Sequence, residues 1–419
     1  MVLVPADPES LIDGVIRNRL AQLESYPSHG DAPFIVADLG QVLRVHQRWK
    51  SIFPGCQPFY AVKCNSDPVL LSYLADLGTG FDCASISEME SVLRTGVDPS
   101  RIIFANPCKA PSAIAYARQV GVMKTTFDNL DELDSIKEHN PNAELFLRIF
   151  AQDNTALIHF GEKFGAPLEI TDALLRRAKD LCLGVIGVSF HVGTGASDVK
   201  SFLTAIQHAN LVITKAERLG FNMRYLDIGG GFQDSTFETL APAIQAAITR
   251  QIPQYIQVLA EPGRFYARSF YTMACKVISR RKQIGSMAGS QPDMLYQSDG
   301  VYGCFMNALI EKEIFYPSLV RHARSTGSPR GSGEHRYSIW GPTCDSVDCV
   351  SKDVMLGTEV LPGDWLKYKD MGAYTVASST TFNGFSNKYD VIYIDTGRYS
   401  PPPNCQEEIR EPLSCTAEA

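Results

Sequence analysis

From about Gly40 to Glu261 the chain alternates between short runs of apolar, β-prone residues and stretches with helical polar–apolar spacing. Eight runs read as strands: PFYAVKC, GTGFDCA, RIIFANP, KTTFD, ELFLRIF, VIGVSFHVG, RYLDIGGGF and QVLAEPG. Between them lie helical or loop sequences such as DPVLLSYLADL, SISEMESVLRTG and SDVKSFLTAIQHANLVITKAERLG. Near-continuous apolar strands separated by helices predict a parallel sheet covered on its outer face. Eight such units in roughly 220 residues predict a closed (β/α)8 barrel rather than an open doubly wound sheet. No G-x-G-x-x-G opens a helix, which counts against a dinucleotide-binding fold.

After Phe265 the texture changes to alternating β sequence with turns, in FYTMACKVIS, RYSIWGPTC, DWLKYKDMGAYT and KYDVIYI. The predicted α/β architecture is therefore a barrel followed by an all-β domain. Its parts are an N-terminal segment, 1–37, that joins the β domain, the barrel, 38–264, the C-terminal β domain, 265–395, and a mobile tail, 396–419. The run PFIVADL reads as a strand or as a lead-in to the barrel. Residues 285–292 and 324–335, rich in Gly and Ser, read as exposed loops.

Composition narrows the function. With 419 residues and 45% hydrophobic content the chain can bury a large core. A formal charge of −7, without a run of Lys or Arg, argues against nucleic acid or an anionic membrane as partner and favours small molecules. No stretch reaches about 18 consecutive apolar residues, and the start MVLVPADPESL lacks a signal-peptide layout, so a cytoplasmic protein is expected. Eleven scattered cysteines with no C-x-x-C, and histidines outside metal-ligand spacing, lead us to expect reduced thiols and no structural zinc.

The candidate chemistry begins at Lys63. It follows an apolar strand, where an ammonium must be paired, neutralised or used covalently, as in a Schiff base with a carbonyl cofactor. Lys63, Asp82, Arg148, His191, Gly229 to Gly231 and Glu261 each close a predicted strand, and a parallel barrel gathers such ends at one mouth. The three glycines of DIGGGF let backbone N–H groups approach an anion, although a plain tight turn would use the same residues. Arg264 follows Glu261 in EPGRFY, placing an anion binder near a cation binder. That pairing suits a cofactor with a phosphate and a protonated ring nitrogen.

The ordered set PFYAVKCN, FDCAS, LRI, KFG, FHVGTG, DIGGGF, EPGRFY, SDGVYG, GPTCDSVD and GAYT resembles that of the eukaryotic ornithine decarboxylases, fold-type III pyridoxal-phosphate enzymes. ASD after HVGTG and DSTFETLAP after GGGF resemble the fungal branch. The resemblance implies that Lys63 carries pyridoxal 5′-phosphate, Glu261 holds the ring nitrogen protonated and His191 stacks on the ring. It implies that Gly229, Gly230, Gly231, Arg264 and Tyr374 hold the phosphate, with Thr194 where the family usually has serine. Asp82, Glu88 and Arg148 would orient Lys63. Cys344 would return a proton to Cα from the partner subunit of an obligate homodimer, with Lys163 and Asp348 as a cross-subunit ion pair. Asp345, Glu311, Ile310, Tyr302 and Phe382 would surround the substrate.

The resemblance breaks at one place. The family has close to Tyr-Asp after GVYGSFNCIL, whereas SDGVYGCFMNAL is followed here by Ile310 and Glu311. A carboxylate longer by roughly 1.5 Å meets the same ammonium only if the helix shifts or the substrate differs in length. The sequence therefore predicts decarboxylation of a basic amino acid other than ornithine, such as lysine, arginine or a substituted diamino acid of a specialised pathway. Plain ornithine decarboxylation is the alternative. A non-catalytic homologue that binds the regulator antizyme is disfavoured by retention of Lys63, His191, Glu261 and Cys344.

Overall fold

The computed structural model describes residues 7–25, 30–151, 163–193, 195, 198–284, 291–321 and 332–397. Strand β1, Phe34–Asp38, precedes eight strands that close on themselves as a parallel barrel. These are β2 (Cys56–Ala61), β3 (Gly80–Cys83), β4 (Ile102–Phe104), β5 (Lys124–Phe127), β6 (Glu144–Arg148), β7 (Gly184–Ser189), β8 (Tyr225–Asp227) and β9 (Gln257–Ala260). All eight coincide with the runs read as strands, although β2 begins two residues and β7 one residue before its run. Their apolar character has a direct cause: each strand faces the lumen on one side and a helix on the other. Phe59, Ile103, Phe146, Ile186 and Leu259 fill the lumen. Burying each of these side chains is worth about 1.5–3 kcal/mol, so the barrel is a packed core and ligands are confined to its mouth.

The second unit is a sheet of eight strands. After β9 come β10 (Tyr271–Arg281), β11 (Asp293–Gln297), β12 (Ser318–Arg321), β13 (Ser332–Trp340), β14 (Cys349–Thr358), β15 (Trp365–Tyr368) and β16 (Asp390–Ile394). Their order is β12-β15-β10-β11-β13-β14, and β1 is inserted between β10 and β16. Most pairs are antiparallel; β1 with β16 and β11 with β13 are parallel. PFIVADL thus belongs to this sheet and not to the barrel, with Phe34 opposite Ala274 and Asp390. A helix, Pro8–Ser25, packs Ile16 and Leu20 against Phe34, Val36, Ala274 and Trp365.

Two expectations about loops change. Residues 332–335 are part of β13, paired with β14 through His335 and Leu356, while 285–290 and 324–331 lie outside the described residues. The tail is anchored at its start: Thr396 donates from N and Oγ1 to Asp38 at 3.0 and 2.6 Å. Residues 398–419 lie outside the described residues. Among the described residues, no helix is long and apolar enough to cross a membrane.

Candidate active site

Lys63 lies two residues past the end of β2 in a short 3-10 turn, Val62–Cys64, instead of closing the strand. The turn is fixed on both sides. Tyr60 donates to Asn65 O at 2.9 Å, Asn65 donates to Gly372 O at 2.9 Å, and Tyr374 N donates to Cys64 O at 2.9 Å. Asp67 then caps the next helix through Val69 N and Leu70 N, and its other oxygen accepts from Tyr271 and Tyr393 of the β domain. The lysine is thereby held between the two units.

The Lys63 side chain is 42% exposed to the barrel mouth and donates to Asp82 at 3.0 Å, a carboxylate only 2% exposed. Desolvation is the largest influence on Lys63 and lowers its pKa. Asp82, Tyr374 and Glu261 together outweigh it, and the net shift is upward. Lys63 is thus a paired ammonium. A pKa raised on folding means that the pair's stabilisation is complete through neutral pH and is lost only in alkali.

Around Lys63 one cleft gathers His191, Gly230, Gly231, Glu261, Arg264 and Tyr374, six of the residues proposed from sequence. His191 is driven well below its ordinary pKa by burial, with Arg148 and Lys63 adding to the effect. It is neutral at pH 7, and its Nδ1 accepts from Gly193 N at 3.1 Å, which places the ring proton on Nε2. Glu261 is held well above the usual carboxylate range, first by burial and then by Asp227 and Asp82. Arg148 ends β6 with its guanidinium 5.2 Å from the Phe164 ring centre. Glu88 turns back to accept from Ala84 N at 2.6 Å, while Ser85 caps the helix Ile86–Leu93. Burial raises the Glu88 pKa, and Asp82 and Lys63 influence it from close by. Thr194 lies outside the described residues.

The glycine run is shaped for close approach. Gly229 has φ +66°, and a Cβ there would fall 2.3 Å from Phe190 O; at Gly230 it would fall 2.8 Å from His191 Nε2. Arg264, 8% exposed, lines the same cleft with its Nε buried and, among the described residues, without a partner. The backbone N–H groups of Gly230 and Gly231 beside that guanidinium nitrogen fit a bound phosphate, and the acids at the other side fit a cationic ring nitrogen.

Arg264 brings a correction. Its Nη2 donates to both oxygens of Glu311, at 2.6 and 2.5 Å, and Glu311 is 7% exposed. The acid expected to face the substrate is tied to the arginine expected to hold the phosphate. Glu313 and Arg268 extend the cluster, at 2.9 Å from each other. Ile310 leaves the cleft altogether and is 57% exposed. It ends the helix Asn307–Ile310, and successive helical side chains point about 100° apart, so Glu311 turns inward as Ile310 turns out.

The remaining candidates form a separate group. Tyr302 stacks on Phe382, with ring centres 4.2 Å apart, and donates to Asp345, whose pKa it lowers. Cys344 is exposed, and Asn383 Oδ1 accepts from its N and Sγ at 3.3 and 3.4 Å. Tyr302 and Phe382 line a cavity that shares no lining residue with the Lys63 cleft. Asp348 is buried in its own chain, accepting from Val301 N, Thr343 N and Thr343 Oγ1 at 2.8, 3.0 and 2.7 Å. The expected Lys163–Asp348 pair does not form within the chain: Lys163 is exposed, with Nζ 5.0 Å from the Phe164 ring centre. Two residues went unnoticed in the sequence, Asn383 and Asp227. An acid ending the apolar run of RYLD was the available signal for the second.

Residues 39–268 match the family described as pyridoxal-dependent decarboxylase, pyridoxal binding domain. An ornithine decarboxylase of Neurospora crassa is 45% identical over 92% of this chain and 86% of that one. Decarboxylase flvG of Aspergillus flavus is 42% identical over 92% of this chain and 91% of that one. Among solved structures, the arginine decarboxylase of Paramecium bursaria Chlorella virus bound to agmatine is 36% identical. It superimposes with a TM-score of 0.84 over 91% of this chain and 100% of that one.

Proposed function

The chain belongs to the pyridoxal-dependent ornithine decarboxylase family, and from that premise we propose that it removes the α-carboxylate of a basic L-amino acid whose distal end differs from ornithine's. Bound pyridoxal 5′-phosphate supplies the electron sink for the pair left at Cα when CO2 departs. Lys63 Nζ would hold the cofactor at its aldehyde carbon, with the loss of one water, and Asp82 would orient the amine. The N–H groups of Gly230 and Gly231, Arg264 Nε and the Tyr374 hydroxyl would hold the phosphate, while the Gly229 N–H is taken by Asp227. Glu261 keeps a proton on the ring nitrogen, and neutral His191 covers the ring without competing for that charge. An alanine at Gly230 is expected to raise the cofactor's dissociation constant about 10- to 100-fold, as an overpacking cost of about 1.4–2.8 kcal/mol would. Absorbance titration of the purified variant measures it.

Cys344, Asp345, Tyr302 and Phe382 enter the site from a second copy of the chain. The reading is supported by Tyr302 and Phe382 lining a cavity apart from Lys63, by the hydrogen bond of Tyr302 to Asp345, and by the exposure of Cys344, Val347, Phe382 and Phe385. In a two-fold dimer each site receives the same loop from its partner. Cys344 then delivers the proton to Cα, with Asn383 holding the thiol.

The observation behind the substrate assignment is the Glu311–Arg264 pair. A carboxylate already neutralised by a guanidinium is a weak second partner for a small primary ammonium. Arginine and diamino acids with a substituted distal nitrogen remain, and lysine differs from ornithine only in reach, by one methylene. Purified protein offered these and L-ornithine, with CO2 and amine products measured, is expected to show a kcat/KM for ornithine about 10- to 100-fold below the best substrate, a difference of about 1.4–2.8 kcal/mol. Ile310→Tyr with Glu311→Asp should shift preference toward ornithine. Efficient ornithine turnover, unchanged by the double substitution, would leave plain ornithine decarboxylation, the reading favoured by the Neurospora relative.

A further inference from the structure

Asp227 ends β8 fully buried, directly behind the cleft. Its Oδ1 accepts the Gly229 N–H at 2.8 Å, and among the described residues no donor meets its Oδ2. β8 and β9 pair in parallel with Asp227 opposite Leu259, so Glu261 emerges two residues further along, on the same side of the neighbouring chain segment. Glu261 N donates to Gly229 O at 2.7 Å, closing the strand ends together, and the two carboxyl groups are in hydrogen-bonding contact. Two ionised carboxylates accept only, and side by side in a buried site they repel. One proton must lie between them. It also resolves the otherwise unsatisfied Oδ2, since a protonated Asp227 is a donor.

The surroundings decide which acid holds that proton. Glu261 lines the cleft and feels the cations Lys63 and Arg148, with Asp82 as the opposing acid. Asp227 feels Arg148 and Asp82, does not line the cleft, and has Cys56 within electrostatic reach; neutral His191 is the remaining titratable group at this strand end. Burial raises the pKa of both acids; the Gly229 N–H and the contact with Glu261 bring Asp227 back to about 6, while Glu261 stays well above the usual carboxylate range. A cationic ring nitrogen beside Glu261 reverses that order, because the charge is then better placed on the outer group, which faces it together with Lys63, than on the inner one.

We propose that Asp227 is a positioning residue that, with the cofactor bound, is protonated and donates from Oδ2 to Glu261, so that the Glu261 carboxylate turns its charge toward the cofactor's ring nitrogen. This rests on the role proposed for Glu261. An asparagine at 227 reproduces the arrangement, because its amide donates to Glu261 while its oxygen still accepts from Gly229 N. An alanine removes the donor and frees the Glu261 side chain to turn.

The test compares wild type, Asp227→Asn, Asp227→Ala and Glu261→Gln by cofactor dissociation constant and by the visible spectrum of the bound cofactor, with folding followed by circular dichroism. Asp227→Asn is expected to bind within about 3-fold of wild type with an unchanged spectrum, and Asp227→Ala to bind about 10-fold or more weakly. An asparagine variant that loses the cofactor as alanine does, or that fails to fold, overturns the proposal, as does an alanine variant that binds like wild type. Should the alanine variant not fold, the asparagine variant decides alone. Glu261→Gln separates the underlying reading: wild-type affinity and spectrum there would remove Glu261 from the ring nitrogen whatever Asp227 does.

Discussion

Replacing Lys63 by alanine is expected to lower kcat by about 10³-fold or more, the least margin by which a positioned covalent amine outruns one from solution. The structure gives the reason for so large an effect. Lys63 stands on a turn bonded to both units, with Nζ 3.0 Å from Asp82 and the charge at the mouth of a barrel whose lumen is closed. Among the described residues, no other lysine lines the cleft. The visible band of the bound cofactor should disappear with the lysine, and small primary amines added to the variant should restore part of the turnover. Circular dichroism on the same samples separates this loss from unfolding, since the substitution leaves Asp82 buried without its cation. A variant with normal kcat would remove Lys63 from the reaction.

Mixing Lys63→Ala chains with Cys344→Ala chains is expected to recover about one quarter of the wild-type sites from two preparations that each have little activity. Random pairing makes half of the dimers mixed, and each mixed dimer has one site that joins an intact Lys63 to an intact Cys344. The expectation follows from the separation of the two cavities in one chain and from the exposed Cys344 loop. The readout is amine formation after subunit exchange confirmed by mass-tagged chains. A mixture that exchanges but stays inactive would place both residues in the same subunit's site. Cys344→Ala alone should still release CO2 while forming aldehyde in place of amine, since the proton then arrives at the cofactor and not at Cα.

The barrel was legible because parallel strands covered on both faces must be apolar nearly throughout, and that constraint is local. The same locality exposed the polar residues at their ends, so Lys63, His191, the glycine run and Glu261 could be gathered at one mouth before any contact was known. In the β domain the signal was weaker. β11 and β12 were missed because short strands with one wetted face carry mixed residues, β14 because its ten residues mix buried and exposed positions, and β13 begins inside a Gly- and Ser-rich segment read as a loop.

The sequence by itself determined the barrel, the presence of a β domain and the identity of the cofactor, through residue types that strand burial and phosphate binding demand at fixed places. Tertiary structure decided which of those residues meet. Arg264 and Glu311 stand 47 positions apart, and their bidentate contact depends on how the helix Asn307–Ile310 is set against the barrel mouth. Asp227 acquires its meaning only when β8 and β9 pair in a register that sets it behind Glu261. Ile310, next in sequence to Glu311, faces away from the site. A substitution can be read in sequence, but the direction of its side chain and the charge of its neighbour are set by packing between distant segments, and those two quantities govern its chemistry.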